Sequence, residues 1–326
     1  MTTATGSERI AMASVIDYPF GISAIDSGYQ RPMMDAIHLV VEKGRAAIID
    51  TGTNDSVPNV LAALKSKGLS PESVDYVMLT HVHLDHAGGA GALMQAFPNA
   101  RLTVHPRGAR HMADPSKLIA GTIEVYGEAE MRRMYGDILP IAQSRIIETP
   151  DGASVRLAGR TFVFHDVAGH ARHHVAIQDL QSGNVFSGDT FGMSFRELDE
   201  GGRQFIFPTT TPPQFDPDAF HRSTDRIAGL NPDAVYVTHY SQVTDIGAKA
   251  TTLHRQLDAL VALALEHRDA GAGRHAKLVA GVNDLIVEEA RRQGFSHSRE
   301  KILGCYATDG ELNAQGLGVW LDQQAK

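Results

Sequence analysis

Within six consecutive residues, His81-Val82-His83-Leu84-Asp85-His86, four side chains are able to ligate a metal. The stretch follows a β-rich run, Val74–Thr80, and precedes Gly88-Gly89 and a short helical pattern over Gly88–Phe97. Open α/β sheets place functional groups at the carboxyl ends of their strands, and this cluster sits at such an end. Val82 and Leu84 alternate with the polar residues and would anchor the turn in apolar surroundings. Neutral imidazoles and a carboxylate suit zinc, iron or manganese. Solvated loop histidines are the plain alternative. Four ligand-type residues in H-x-H-x-D-H order between strand and helix favour the metal.

Three further strand ends carry the same residue types. The run Thr161–Val167 ends near His170, Val185–Ser187 leads into Ser187-Gly188-Asp189-Thr190, and Val235–Thr238 leads into His239-Tyr240. Adjacent strands would bring His81, His83, Asp85, His86, His170, Asp189 and His239 to one sheet edge. Seven ligands exceed a single tetrahedral site. They suit two metals that share a bridging carboxylate.

The framework reads as α/β. Ala36–Glu42 and Ala46–Asp50 form a hairpin around Lys43-Gly44-Arg45. Asp55–Lys67 has helical spacing at Val57, Val60, Leu61 and Leu64, and Gly68 stops it. Strands follow at Ala100–His105 and His174–Leu180. Residues 107–150, with Met112, Met131 and Met134, form a helical insertion, either a lid or a packed excursion. Residues 1–17 look peripheral. Beyond Gly247 two apolar helical faces appear, Leu253/Leu257/Leu260 and Leu278/Val282/Ile286. The expected division is a catalytic domain over 18–247 and a helical C-terminal subdomain over 248–326.

Composition narrows the function. At ~150 residues per domain, 326 residues suggest about two. Thirty basic against thirty-eight acidic residues give a net charge of −8, which disfavours nucleic-acid binding. A lone cysteine, Cys305, excludes an internal disulfide and a Cys-based zinc site. It reads as a buried apolar residue. No stretch reaches the ~18 apolar residues of a membrane helix. The polar start does not read as a signal peptide, so a cytoplasmic protein is expected. The expected partner is a small-molecule substrate, with no nucleic acid and no membrane. The amphipathic tail suggests a homodimer.

The ordered set Asp50-Thr51-Gly52, His81–His86, Gly169-His170, Ser187-Gly188-Asp189-Thr190 and Thr238-His239 resembles the metallo-β-lactamase superfamily over roughly residues 20–245. The resemblance implies an α/β fold, an αββα sandwich. It implies two divalent metal ions, zinc first and iron or manganese as alternatives. His81, His83 and His170 would hold one, Asp85, His86 and His239 the other, and Asp189 would bridge them beside a hydroxide. The pattern is closer to glyoxalase II-like hydrolases than to antibiotic-degrading lactamases, where a Cys usually replaces the bridging Asp. A Glu usual at the place of His83 in flavodiiron proteins disfavours that branch.

The implied function is hydrolysis of a small-molecule ester, thioester or lactone by the bridging hydroxide, with Asp85 orienting it and accepting its proton. The alternatives are a mononuclear iron persulfide dioxygenase-like oxidoreductase and, below it, a phosphodiesterase. His173 replaces a glycine common in the glyoxalase II-like pattern. Adjacent side chains on an extended chain face opposite ways, so one of His173 and His174 would face the metals. His174 is the expected second-layer or substrate contact. Tyr240 would donate to the leaving group or pack in the core. Asp50 and Thr51 would buttress the metal loop, and Ser187 and Thr190 would bond to Asp189. Arg107, Arg110, Arg132 and Arg133 read as a solvated face. The insertion, the tail and the loop Phe207–Pro217 would set substrate choice.

Overall fold

A computed structural model describes residues 14–325. Its first sheet runs in chain order through β1 (Val15–Tyr18), β2 (Ile22–Asp26), β3 (Ala36–Glu42), β4 (Arg45–Ile49), β5 (Val74–Met78), β6 (Arg101–Val104) and β7 (Ile146–Glu148). The first four strands pair antiparallel, and β4 to β7 pair parallel. The second sheet contains β8 (Ser154–Leu157), β9 (Arg160–Asp166), β10 (Val175–Asp179), β11 (Val185–Gly188), β12 (Val235–Val237) and β13 (Ser241–Val243). Its spatial order is β13-β12-β11-β10-β9-β8, with β11 and β12 parallel.

Side-chain alternation explains why the sheets stack. In β4, Ala47 and Ile49 face the second sheet while Ala46 and Ile48 face the helices outside the first. In β10, Val175 and Ile177 point between the sheets and Ala176 points out. Strands buried on both faces read as continuous apolar runs. The layer between the sheets is closed by Phe162, Phe164, Ile177 and Phe186, each fully or almost fully buried. Each contributes about 1.5–3 kcal/mol of transfer free energy.

Helices cover both outer faces. On the first sheet lie α1 (Val57–Ser66), α2 (Leu84–Ala87), α3 (Ala90–Ala96) and α4 (Pro106–Ala113), through Val60, Leu64, Ala87, Leu93 and Met112. Next in the chain come α5 (Ser116–Tyr126) and α6 (Glu128–Tyr135). On the second sheet lie α7 (Pro217–Gly229) and α8 (Ile246–Glu266), through Ile227, Ile246 and Leu253. The chain continues through α9 (Arg274–Arg292), α10 (Arg299–Cys305) and α11 (Ala307–Gln324). The αββα sandwich and the helical C-terminal region are therefore as expected.

Several boundaries differ from the sequence reading. β7 lies inside 107–150 and extends the first sheet, and α4 packs on that sheet, so the excursion is shorter than expected. Residues 14–17 are not peripheral, because Val15–Tyr18 pairs with Ile22–Ile25 as an edge strand. The rest of the stretch read as peripheral, 1–13, lies outside the described residues. Short strands β8 and β13 have too little periodic pattern to be read locally, whereas the helix α7 (Pro217–Gly229), with Asp216 as its N-cap and Pro217 at its first position, carries a signal that the sequence reading missed. The C-terminal helices share one apolar cluster with Tyr29, Leu84, Tyr135 and Phe195. Their buried faces, including Leu257, Leu260, Leu278 and Val282, are covered within the chain. Those are the faces that suggested a homodimer. Among the described residues no helix is long and apolar enough to cross a membrane.

Candidate metal centre

The site forms where the two sheets are stitched together at one end. Val175 N–H donates to Thr80 O at 2.8 Å, and Ala36 N–H donates to Thr238 O at 2.8 Å. The Asp50 carboxylate, just past β4, ties the stitches to each other. It accepts from Thr80 N–H at 2.9 Å, from Thr80 Oγ1 and from Thr238 Oγ1 at 2.9 Å. Its Oδ2 also lies 2.9 Å from His86 Nδ1. Thr51 donates through N–H and Oγ1 to His86 O, each at 2.7 Å. Asp50 and Thr51 thus buttress the loop as expected.

Gly188 lets the second sheet approach. Its φ is +52°, and a Cβ there would meet Thr80 Oγ1 at 2.6 Å and His174 Nε2 at 2.7 Å. Gly169, ahead of His170, has φ +134° and would meet the Phe220 backbone at 2.4 Å. Any side chain at either position would force Thr80 and His174, or the Phe220 backbone, to shift.

All seven sequence-selected residues converge. Ligand atoms of His81, His83 and His170 lie within 4.8 Å of one another, as do those of His81, His86 and Asp189, and those of Asp85, His86 and His239. Asp189 joins the groups. Its Oδ1 lies 3.2 Å from His86 Nε2 and 3.4 Å from His239 Nε2, and its Oδ2 lies 3.3 Å from His170 Nε2. His81 Nε2, His86 Nε2 and Asp189 Oδ1 are buried without a hydrogen-bond partner. Each such atom costs about 1–3 kcal/mol if left bare. A cation among them removes that cost, so the donor set fits divalent metals.

Electrostatics point the same way. Burial, with the neighbouring rings, holds His81 well below the ordinary imidazole pKa and pushes His83 down to about 3. Burial also pushes His170 down to about 4, against the pull of Asp189. These rings keep lone pairs available. Burial pushes His86 and His239 down too, but the carboxylates, Asp189 foremost, outweigh it and hold both well above the ordinary value. Burial acts to raise Asp189, yet His86, His239 and His170 hold it well below the carboxylate range. The carboxylates at its centre thus favour positive charge beside them.

Of the flanking residues, His174, Arg132 and Arg133 lie as expected, and the others differ. His174 is fully buried, stacks on His81 at 4.6 Å and accepts from Asp189 N–H at 3.2 Å. It holds the Asp189 backbone and does not line the cavity. His173 lines the cavity and also stacks on His81, at 6.2 Å, because the chain is not extended there. Tyr240 packs with Ala24 and Ala36, away from the cavity, so it is no leaving-group donor. Ser187 and Thr190 donate to Gly188 O and Val167 O, not to Asp189. Arg132 and Arg133 pair with Glu128 and Glu130 on the solvated side.

Sequence reading missed Asp35, whose Oδ1 lies 2.7 Å from His239 Nδ1. It also missed Asp309 and the Tyr29–Tyr135 pair, whose hydroxyls are 2.8 Å apart. A lone acid before a strand and an acid on a distant helix carry no local signal. A cavity of 340 Å³ opens over the cluster, floored by His83, Asp85, His170, Asp189 and His239.

Two packed sheets, helices outside them and a histidine–aspartate cradle at one end define the protein's class. A sequence profile described as the metallo-beta-lactamase superfamily matches residues 32–239. Hydroxyacylglutathione hydrolase of Xanthomonas euvesicatoria pv. vesicatoria is 30% identical over 280 residues, 85% of this chain and 88% of that protein. A metallo-beta-lactamase fold-containing protein of Sulfurisphaera tokodaii is 25% identical over 224 residues, 67% of this chain and 78% of that one. The chain spans only 50% of the hydroxyacylglutathione hydrolase of Xanthomonas campestris pv. campestris strain B100 that it matches, at 32% identity over 54% of its own length. In fold, the crystal structure of an archaeal metallo-beta-lactamase superfamily protein from Sulfolobus tokodaii aligns with TM-score 0.63 at 22% identity, covering 91% of this chain and 98% of that one. A metallo-beta-lactamase family protein from Thermus thermophilus gives 0.63 at 19%, covering 94% of each chain. The chain belongs to the metallo-beta-lactamase superfamily.

Proposed function

We propose that this protein is a dinuclear metal-dependent hydrolase of a small-molecule ester, thioester or lactone. The observation that carries the reading is Asp189. Its two carboxylate oxygens face different imidazoles, and the six other candidate ligands flank it in two groups. His81, His83 and His170 would hold one ion, and Asp85, His86 and His239 the other. Zinc fits the imidazole-rich set best, and iron or manganese also suits it. Divalent ions bound there would bring the pKa of a water to about 7 and polarise a carbonyl.

The chain's own residues do the rest. Asp50 holds the proton on His86 Nδ1 and leaves Nε2 toward the centre. Asp35 Oδ1, 2.7 Å from His239 Nδ1, places its negative charge beside that ring and favours a proton on it. Partners of this kind fix the ring's tautomer and direction. Asp85 is only partly buried, its side chain 22% exposed. It lines the cavity, where it would orient a water and take its proton. The 30% identity to a hydroxyacylglutathione hydrolase supports hydrolysis of an acyl bond.

The test is turnover of a panel of thioesters, esters and lactones by zinc-loaded and chelator-treated protein, run beside an oxygen electrode. Metal-dependent hydrolysis with no oxygen uptake is expected. Oxygen consumption with a persulfide and a single iron would replace this reading with the dioxygenase one.

A further inference from the structure

The helix α11 holds a carboxylate that nothing in the fold explains. Asp309 is 7% exposed and lines the cavity, and among the described residues its buried Oδ2 has no hydrogen-bond partner. Burial pushes its pKa up to about 6, with His239 and Arg31 pulling the other way. A buried, unpaired acid is unfavourable unless something pairs with it.

Its neighbours, by contrast, are firmly tied. Tyr306 Oη donates to Met193 O at 3.2 Å. Asn313 accepts from Thr210 N–H at 2.6 Å and donates to Pro208 O at 3.2 Å. Gly316 is pressed so closely on the chain that a Cβ there would lie 1.6 Å from Thr210 O. These anchors fix α11 on the loop beside the cavity and leave Asp309 Oδ2 without a partner among the described residues.

The rest of the wall limits what could be that partner. Leu118, Val125, Tyr126, Met193 and Leu312 make it largely apolar. Among the described residues the lining holds one full cation, Lys117, on the exposed rim, against Glu124 and Asp309 above the floor. Tyr29 and Tyr135 already satisfy each other. A substrate carboxylate reaching toward α11 would meet an acid in an apolar wall.

We propose that Asp309 is a specificity-determining residue that accepts a hydrogen bond from an N–H or O–H group of an uncharged acyl substrate and turns away substrates bearing a carboxylate at that end. The inference names the substrate class for the hydrolase proposed above and rests on that reading for its chemistry, although the binding it describes can be measured alone.

The experiment uses the zinc-loaded full chain and three unreactive thioethers. They are S-butyl-N-acetylcysteamine, its N-methyl amide analogue, and S-butyl-3-mercaptopropionate. Binding is measured by calorimetry to the wild type, Asp309→Asn and Asp309→Leu. The wild type should bind the N–H compound about tenfold or more tighter than either other compound, the scale of one hydrogen bond to a charged group. Asp309→Leu should abolish the preference between the first two, and Asp309→Asn should admit the carboxylate. Equal binding of all three by the wild type overturns the inference. So does uniform weakening in both variants, which is what a merely structural role would give. The corresponding S-butyryl thioesters report hydrolysis separately. Intact discrimination without turnover would remove the hydrolase reading and leave the specificity assignment standing, whereas turnover without discrimination would do the reverse.

Discussion

Asp50 Oδ2 lies 2.9 Å from His86 Nδ1, and the same carboxylate accepts from Thr80 on one sheet's edge and Thr238 on the other's. One buried acid therefore sets the direction of a candidate ligand and the spacing between the two halves of the centre. Asp50→Ala should weaken metal binding by about 10- to 100-fold, the usual effect of removing such a support. Competition against a chromogenic chelator measures it. An unchanged affinity would mean that His86 needs no support.

Gly188 predicts a steric consequence. Gly183 has φ +74° with nothing within 4 Å of an added Cβ, whereas Gly188 has φ +52° and clashes with Thr80 and His174. Gly183→Ala should lose only about 1 kcal/mol through its backbone. Gly188→Ala adds the clash and should lose about 3 kcal/mol or more. Urea unfolding of both variants in chelator gives the comparison, and equal losses would remove the argument for a required close approach.

His38 gives a pH signature. Burial in β3 pushes its pKa from 6.5 down to about 4, with Asp50 pulling the other way. The folded ring stays neutral while the unfolded ring takes a proton below pH 6.5. This contribution to stability is full above pH 6.5 and is lost as pH falls toward 4. His38→Gln should flatten that part of the stability curve relative to the wild type, both in chelator. Parallel curves would contradict it.

Much of the site was legible because its residues lie at strand ends, where the sequence switches abruptly from apolar runs to ligand types. His81 to His86, His170, Asp189 and His239 all carry that signature. The hairpin of β3 and β4 was legible from Lys43-Gly44, both at positive φ. What escaped depends on tertiary contact. Asp35 matters only because β3 lies beside the end of β12, and Asp309 only because Asn313 and Gly316 seat α11 on a distant loop. The period-2 rule for strands misplaces His173 and His174, because they lie in a turn. β8 and β13 are too short to show a period.

The most direct test of the central claim is metal stoichiometry. Purified wild-type protein, loaded and desalted, should carry two divalent ions per chain by elemental analysis, and Asp189→Ala should carry at most one, with the far-ultraviolet circular dichroism unchanged. One ion per chain in the wild type, or an unchanged metal content in a folded Asp189→Ala variant, would contradict the account.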